Sequence, residues 1–129
     1  MRPLRTSIVF AVLLLGLSSL SCGGDDKNPT NPGGGGGAAD ETITILGNSG
    51  SSSYSPDPDT VLVGQTVAWH NADGTAHTAT ANVGPEFTTG TVGAGSTSAK
   101  ITMGTVGSFP YHCTIHGLTM AGTLVVKLP

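Results

Sequence analysis

Apolar and polar residues alternate in short bursts along the second half of this chain. Thr42-Ile43-Thr44-Ile45 switches at every position, as a strand with one buried face does. Thr60–Val63 and Gln65–His70, broken by Gly64, repeat the pattern and offer Val61, Val63, Val67 and Trp69 as inward side chains. His77–Ala81 is a further short strand, Thr97–Met103 places Ile101 and Met103 on one side, and Gly107–Cys113 and Gly122–Leu128 close the series. Between them lie segments rich in Ser, Gly and Pro: 47–58, with Tyr54 its one large apolar residue, the turn 71–74, and a long loop 83–96 around Phe87. No stretch carries a helical period. Roughly eight short strands in about 90 residues predict an all-β domain whose strands each bury one face between two sheets.

The N-terminal part has a different pattern. Residues 1–21 hold Arg2 and Arg5, an apolar run from Ile8 to Leu20 and small residues before Cys22. Such a run is shorter than the roughly 20 residues that span a bilayer, so the segment reads as an export signal. It also resembles a bacterial lipoprotein signal, which implies that Cys22 is acylated and becomes the mature N-terminus. Residues 22–40, with Asn, Pro and five consecutive glycines at 33–37, read as a flexible tether. Coil scaling gives it a reach of roughly 20–25 Å. The folded domain is therefore expected over 41–129, exported to the periplasm or cell surface and held to a membrane by its lipid.

Charge narrows the function further. The formal net charge is −3, and a chain starting at Cys22 keeps three lysines against eight acids, a net −5. This is not the basic footprint of a nucleic-acid binder. Asp57, Asp59, Asp73 and Glu86 form no paired-carboxylate or Ser-His-Asp arrangement and read as solvated charge, so no enzyme constellation emerges.

The chemistry gathers near the C-terminus, in Tyr111-His112-Cys113-Thr114-Ile115-His116-Gly117-Leu118-Thr119-Met120. A thiolate, an imidazole and a thioether within one tight loop make a soft donor set. One thiolate with two imidazoles and a long axial thioether is the ligand field of blue copper electron-transfer centres. The second imidazole must come from elsewhere, and His77 is the best candidate. Phe109, Tyr111 and Cys113 share a strand face, so the sulfur is expected at the end of a packed interior, with His112 on the opposite face. An unpaired cysteine in an oxidising compartment is explained by metal ligation. His70 and His112 read as surface histidines. The dipeptide His112-Cys113 echoes copper nitrite reductases, but a single domain lacks the additional histidines of their catalytic site.

Asn71-x5-His77 combined with Tyr111-x-Cys113-x2-His116-x3-Met120 and the closing Gly122–Val126 strand resembles the plastocyanin-type cupredoxins over residues 41–129. The resemblance implies an antiparallel two-sheet Greek-key β-sandwich holding one copper ion on His77, Cys113, His116 and Met120. It further implies that the amide of Thr78 donates to the Cys113 sulfur and that Asn71 braces the His77 loop. Gly117 and Leu118, with Pro85 a further candidate, would form an apolar patch for transient redox partners, the protein itself being a monomer. Plastocyanins usually have one more residue between the second histidine and the methionine, which implies a differently tuned potential. The competing function is a protein that buffers or delivers copper without carrying electrons.

Overall fold

The computed structural model describes residues 37–129. The expected signal 1–21, Cys22 and the tether as far as residue 36 lie outside the described residues. Eight strands form: β1 (Glu41–Ile45), β2 (Tyr54–Ser55), β3 (Asp59–Leu62), β4 (Thr66–Asn71), β5 (Thr80–Ala81), β6 (Ile101–Thr102), β7 (Gly107–Cys113) and β8 (Gly117–Lys127). They make two four-stranded sheets, ordered β2-β1-β4-β6 and β3-β8-β7-β5, and no helix is present among the described residues.

The alternation seen in the sequence is the alternation of burial. On β8, Met120, Gly122, Leu124 and Val126 are buried while their neighbours are partly exposed. Ile43 and Ile45 of β1, Val67 and Trp69 of β4, Val61 of β3 and Tyr111 of β7 meet them in one core shared by both sheets. An aromatic cluster sits at its centre. Trp69 stacks on Phe87 with ring centroids 5.2 Å apart, and Tyr111 meets the edges of Trp69, Phe87 and Tyr54 at 5.9, 5.6 and 4.7 Å. Edge-to-face contacts of this kind add to what burial alone contributes.

Besides the strand ends, where the expected His77–Ala81 and Thr97–Met103 shorten to Thr80–Ala81 and Ile101–Thr102, three features differ from the sequence reading. The sheets are mixed, not antiparallel: β1 runs parallel to β4 and β3 parallel to β8. The chain leaves β1, passes through β3 in the other sheet and returns as β4, and such a crossover connection is what parallel neighbours require. Tyr54 is not a loop residue but opens β2, pairing with Ile45 of β1. Finally, β8 starts at Gly117 and not at Gly122, so Met120 lies on a strand and not in the loop.

That early start is possible because the β7–β8 hairpin turns very tightly. Cys113 pairs with Gly117, and the His116 amide donates to the Cys113 carbonyl at 3.2 Å. Gly117 takes φ +68°, a left-handed value that glycine adopts without steric cost. The ladder then shifts: His112 pairs with Ala121, leaving 118–120 as extra residues on β8. Met120 keeps the inward parity of Gly122, Leu124 and Val126 and is fully buried.

Candidate metal centre

Cys113 ends β7 on the same face as Tyr111, and both are fully buried. Its Sγ lies 3.4 Å from His116 Nδ1 and 3.8 Å from His77 Nδ1. The two Nδ1 atoms are 3.2 Å apart. Sulfur and nitrogen donors about 2.0–2.3 Å from a common centre stand at separations of this size. Among the described residues this is the one group of three or more His, Cys, Asp or Glu side chains placed to hold a metal ion, with donor atoms all within 4.8 Å of one another. Met120 is buried on β8, four residues beyond His116. Soft donors, convergence and exclusion from water fit a copper ion.

His77 reaches the site from the segment between β4 and β5, which is fixed at several points. Its backbone pairs with Val92 in both directions, at 3.1 and 2.8 Å. The buried amide of Asn71 donates to the carbonyls of Thr75 and Val92 at 2.7 and 2.9 Å, and its Oδ1 accepts from the Asp73 amide at 2.9 Å. Asn71 thus ties the turn to the following loop, and the ring has little freedom. His77 is 1% exposed, whereas His116 is only half-buried.

Thr78 links the thiolate to the rest of the fold. Its amide donates to Cys113 Sγ at 3.3 Å. Its hydroxyl accepts from the Thr114 amide at 2.8 Å and lies 3.0 Å from the Thr114 hydroxyl. Its carbonyl accepts from the Tyr54 hydroxyl at 2.7 Å. A residue of β2 in one sheet therefore holds a peptide beside the thiolate in the other.

The electrostatics favour an ionised sulfur. Burial pushes the Cys113 thiol up, but the Thr78 amide and the rings of His116 and His77 outweigh it and bring the pKa down to about 6. For His77, burial acts downward, while Asp73 and Cys113 act upward and prevail. The Asp73 carboxyl is held at about 2, chiefly by its hydrogen bond with His77 and then by that with Thr75. A low-pKa thiolate between two imidazoles is a ready ligand for a soft cation, since ligation needs the deprotonated sulfur.

Asp73 is the residue the sequence reading missed. It was expected as solvated charge in a turn, yet Oδ2 lies 2.7 Å from His77 Nε2. Its position four residues before a candidate ligand was the available signal, but the turn that folds it back is not legible from spacing alone. Tyr54 and Thr114 were likewise not assigned to the site. The remaining histidines are apart from this cluster. His70 Nδ1 lies 3.0 Å from the Thr97 hydroxyl, and His112 Nδ1 lies 2.6 Å from Asn82 Oδ1. Beside His116, Leu118 is 72% exposed and Gly117 half-buried; Pro85 is exposed in the loop after β5.

These features define the class: an all-β domain of two mixed sheets with the cupredoxin fold and a type 1 copper-like donor set of His77, Cys113, His116 and Met120. The solved structures most like it include a purple cupredoxin from Nitrosopumilus maritimus, at 25% identity and a TM-score of 0.58, covering 68% of this chain and 100% of that one. A Cu(I) form of an amicyanin variant matches at 23% identity and a TM-score of 0.58, over 70% of this chain and 85% of that one. A copper-containing nitrite reductase (NirK) from Thermus scotoductus matches at 32% identity and a TM-score of 0.58 over 68% of this chain; the chain spans only 22% of that enzyme. No protein-family model and no curated protein matches the sequence.

Proposed function

We propose that this protein is a blue copper carrier that takes up and passes on one electron at a time outside the cytoplasm, and is not itself an enzyme. The observation that carries the reading is the convergence of one buried thiolate and two imidazole nitrogens within 4.8 Å, with the buried Met120 on the adjoining strand. His77, Cys113 and His116 would be the strong ligands and Met120 the weak axial one. Copper, when bound, supplies a Cu(II)/Cu(I) couple. The chain's part is to hold the donors still: Asn71 fixes the His77 turn, and Thr78 and Thr114 fix the segment around the sulfur. Donors already held near their working separations leave little to rearrange when the charge changes. The copper and amicyanin named among the similar structures support the same reading.

The half-buried His116 and the exposed Leu118, with Gly117 between them, are the surface through which partners would approach. Redox encounters of this kind use small interfaces and weak affinity. Export, acylation of Cys22 and a tethered monomer complete the proposal.

Titrating the purified full-length protein with Cu(II) tests it. An intense visible thiolate-to-copper band with a reversible one-electron wave is expected, and Cys113→Ser should abolish the band without altering the far-UV circular dichroism. Colourless, Cu(I)-only binding without a reversible wave would assign the protein to copper buffering or delivery. A band retained in Cys113→Ser would remove the ligand assignment.

A further inference from the structure

We propose that Asp73 is a positioning residue of the metal centre: its carboxylate holds a proton on His77 Nε2, leaves Nδ1 as the nitrogen that would bind the metal, and supplies a fixed negative charge that favours the oxidised ion. The inference rests on the copper reading above and adds to it a group outside the four donors.

The contact with Asp73 places a proton on Nε2. Oδ2 of Asp73 is 2.7 Å from His77 Nε2. A carboxylate only accepts hydrogen bonds, so a neutral ring with its proton on Nδ1 would set two acceptors against each other at that distance. With a proton on Nε2, the ring donates to Asp73, whose Oδ2 is nearer than the Thr75 hydroxyl at 3.1 Å, and in the neutral ring Nδ1, the atom that faces the sulfur at 3.8 Å and His116 Nδ1 at 3.2 Å, is left to bind a metal. That is the tautomer a metal ligand needs.

The carboxylate is itself built in. The Thr75 hydroxyl donates to Oδ2 at 2.8 Å, and the Asp73 amide donates to Oδ1 of the fully buried Asn71. On the other side stands Gly47, just past β1, at φ +106°. A Cβ at Gly47 would lie 3.2 Å from both the Asp73 carboxyl carbon and Oδ2, so a side chain there would press on the carboxylate. Two separate segments thus shape a seat for this one group. An incidental surface ion pair has no such setting. His116 is held differently, with no hydrogen bond to its Nε2 among the described residues. The two imidazoles are therefore unequal: one is oriented and made more basic by an anion, the other is presented towards the surface.

A carboxylate behind a ligating imidazole raises its basicity, and losing it typically weakens metal binding about 10–100-fold. Its negative charge stabilises a divalent ion more than a monovalent one. Asp73→Asn keeps an oxygen that can accept the Nε2 proton but removes the charge; Asp73→Ala removes both.

Two measurements test the proposal on full-length protein. In the metal-free protein at alkaline pH, long-range 1H–15N spectra should show His77 protonated on Nε2 in the wild type and in Asp73→Asn, and a mixture of tautomers in Asp73→Ala. With copper, both variants should keep the visible band, while Asp73→Ala loses about tenfold or more in Cu(II) affinity relative to Cu(I). Tenfold corresponds to a reduction potential raised by about 59 mV for one electron. A wild-type proton on Nδ1, or an Asp73→Ala protein with unchanged tautomer and potential, overturns the role of Asp73. Absence of any visible band in the copper-loaded wild type would instead overturn the copper reading, and the metal-free spectra would still decide the tautomer.

Discussion

Met120 stands four residues past His116 and yet sits within β8, on the same inward face as Gly122 and Leu124. Its thioether is the one donor of the set that can be replaced without exposing a charge or leaving a polar atom unpaired. Met120→Leu conserves volume and should cost less than about 1.5 kcal/mol of stability. Loss of a weak thioether donor would favour the reduced ion. The variant should therefore retain copper and its colour but show a higher potential by voltammetry, on the order of one 59 mV tenfold step. An unchanged potential would take Met120 out of the donor set. At this scale the sequence was informative where chemistry and spacing coincide. Cys113, His116 and Met120 lie close along the chain, and His77 follows Asn71 in a recognisable turn. It was silent where the fold supplies the partner: nothing in the spacing of Asp73 or Tyr54 says that one meets His77 Nε2 and the other the Thr78 carbonyl.

Between the elements, there is no spare room where Gly122 of β8 meets Tyr111 of β7 and Tyr54 of β2. Gly122 pairs with Tyr111, and a Cβ built on it would stand 2.6 Å from Tyr111 Cζ, 2.7 Å from its hydroxyl and 3.0 Å from Tyr54 Cδ2. Neither ring can retreat easily, since Tyr111 is wedged among Trp69 and Phe87 and the Tyr54 hydroxyl is committed to Thr78. Gly122→Ala should therefore destabilise the protein by about 1–3 kcal/mol, read from urea midpoints at constant slope. Because Tyr54 anchors the peptide beside the thiolate, the visible band of the variant should shift as well. Alternation was enough to place most of the strands and their inward residues, including Val61, Val67, Trp69 and Met103. It could not give strand direction, because a parallel and an antiparallel neighbour bury the same face. Nor could it reveal the two-residue β2, which is too short to alternate.

For the molecule as a whole, one buried charge sets a dependence on pH. Asp59 lies on the inner side of β3, 7% exposed; Oδ1 accepts from the Thr60 amide at 2.8 Å, while Oδ2 has no partner among the described residues. Burial raises its pKa above 3.8 and the nearby Glu41 adds to this, against the lowering effect of the Thr60 amide. A carboxyl whose folded pKa exceeds its unfolded one favours folding while protonated. Its contribution is thus complete below about pH 4 and is lost as pH rises through the folded value. Asp59→Asn keeps the acceptor and the shape without the charge. Urea midpoints of wild type and variant should accordingly move in the wild type's favour as pH falls from neutral to about 4. A gap that does not vary with pH would show that Asp59 does not titrate with folding.

The bulge at 118–120 also bears on how such a protein can diversify. The rungs from Gly107 with Val126 up to His112 with Ala121 are set by the long hairpin, and the donors His116 and Met120 are spaced by residues that stand outside that ladder. An insertion or deletion there alters the distance between two ligands and leaves every rung below it in register. Electrochemical properties can in this way drift through changes in the length of the bulge while the architecture that carries them is inherited intact.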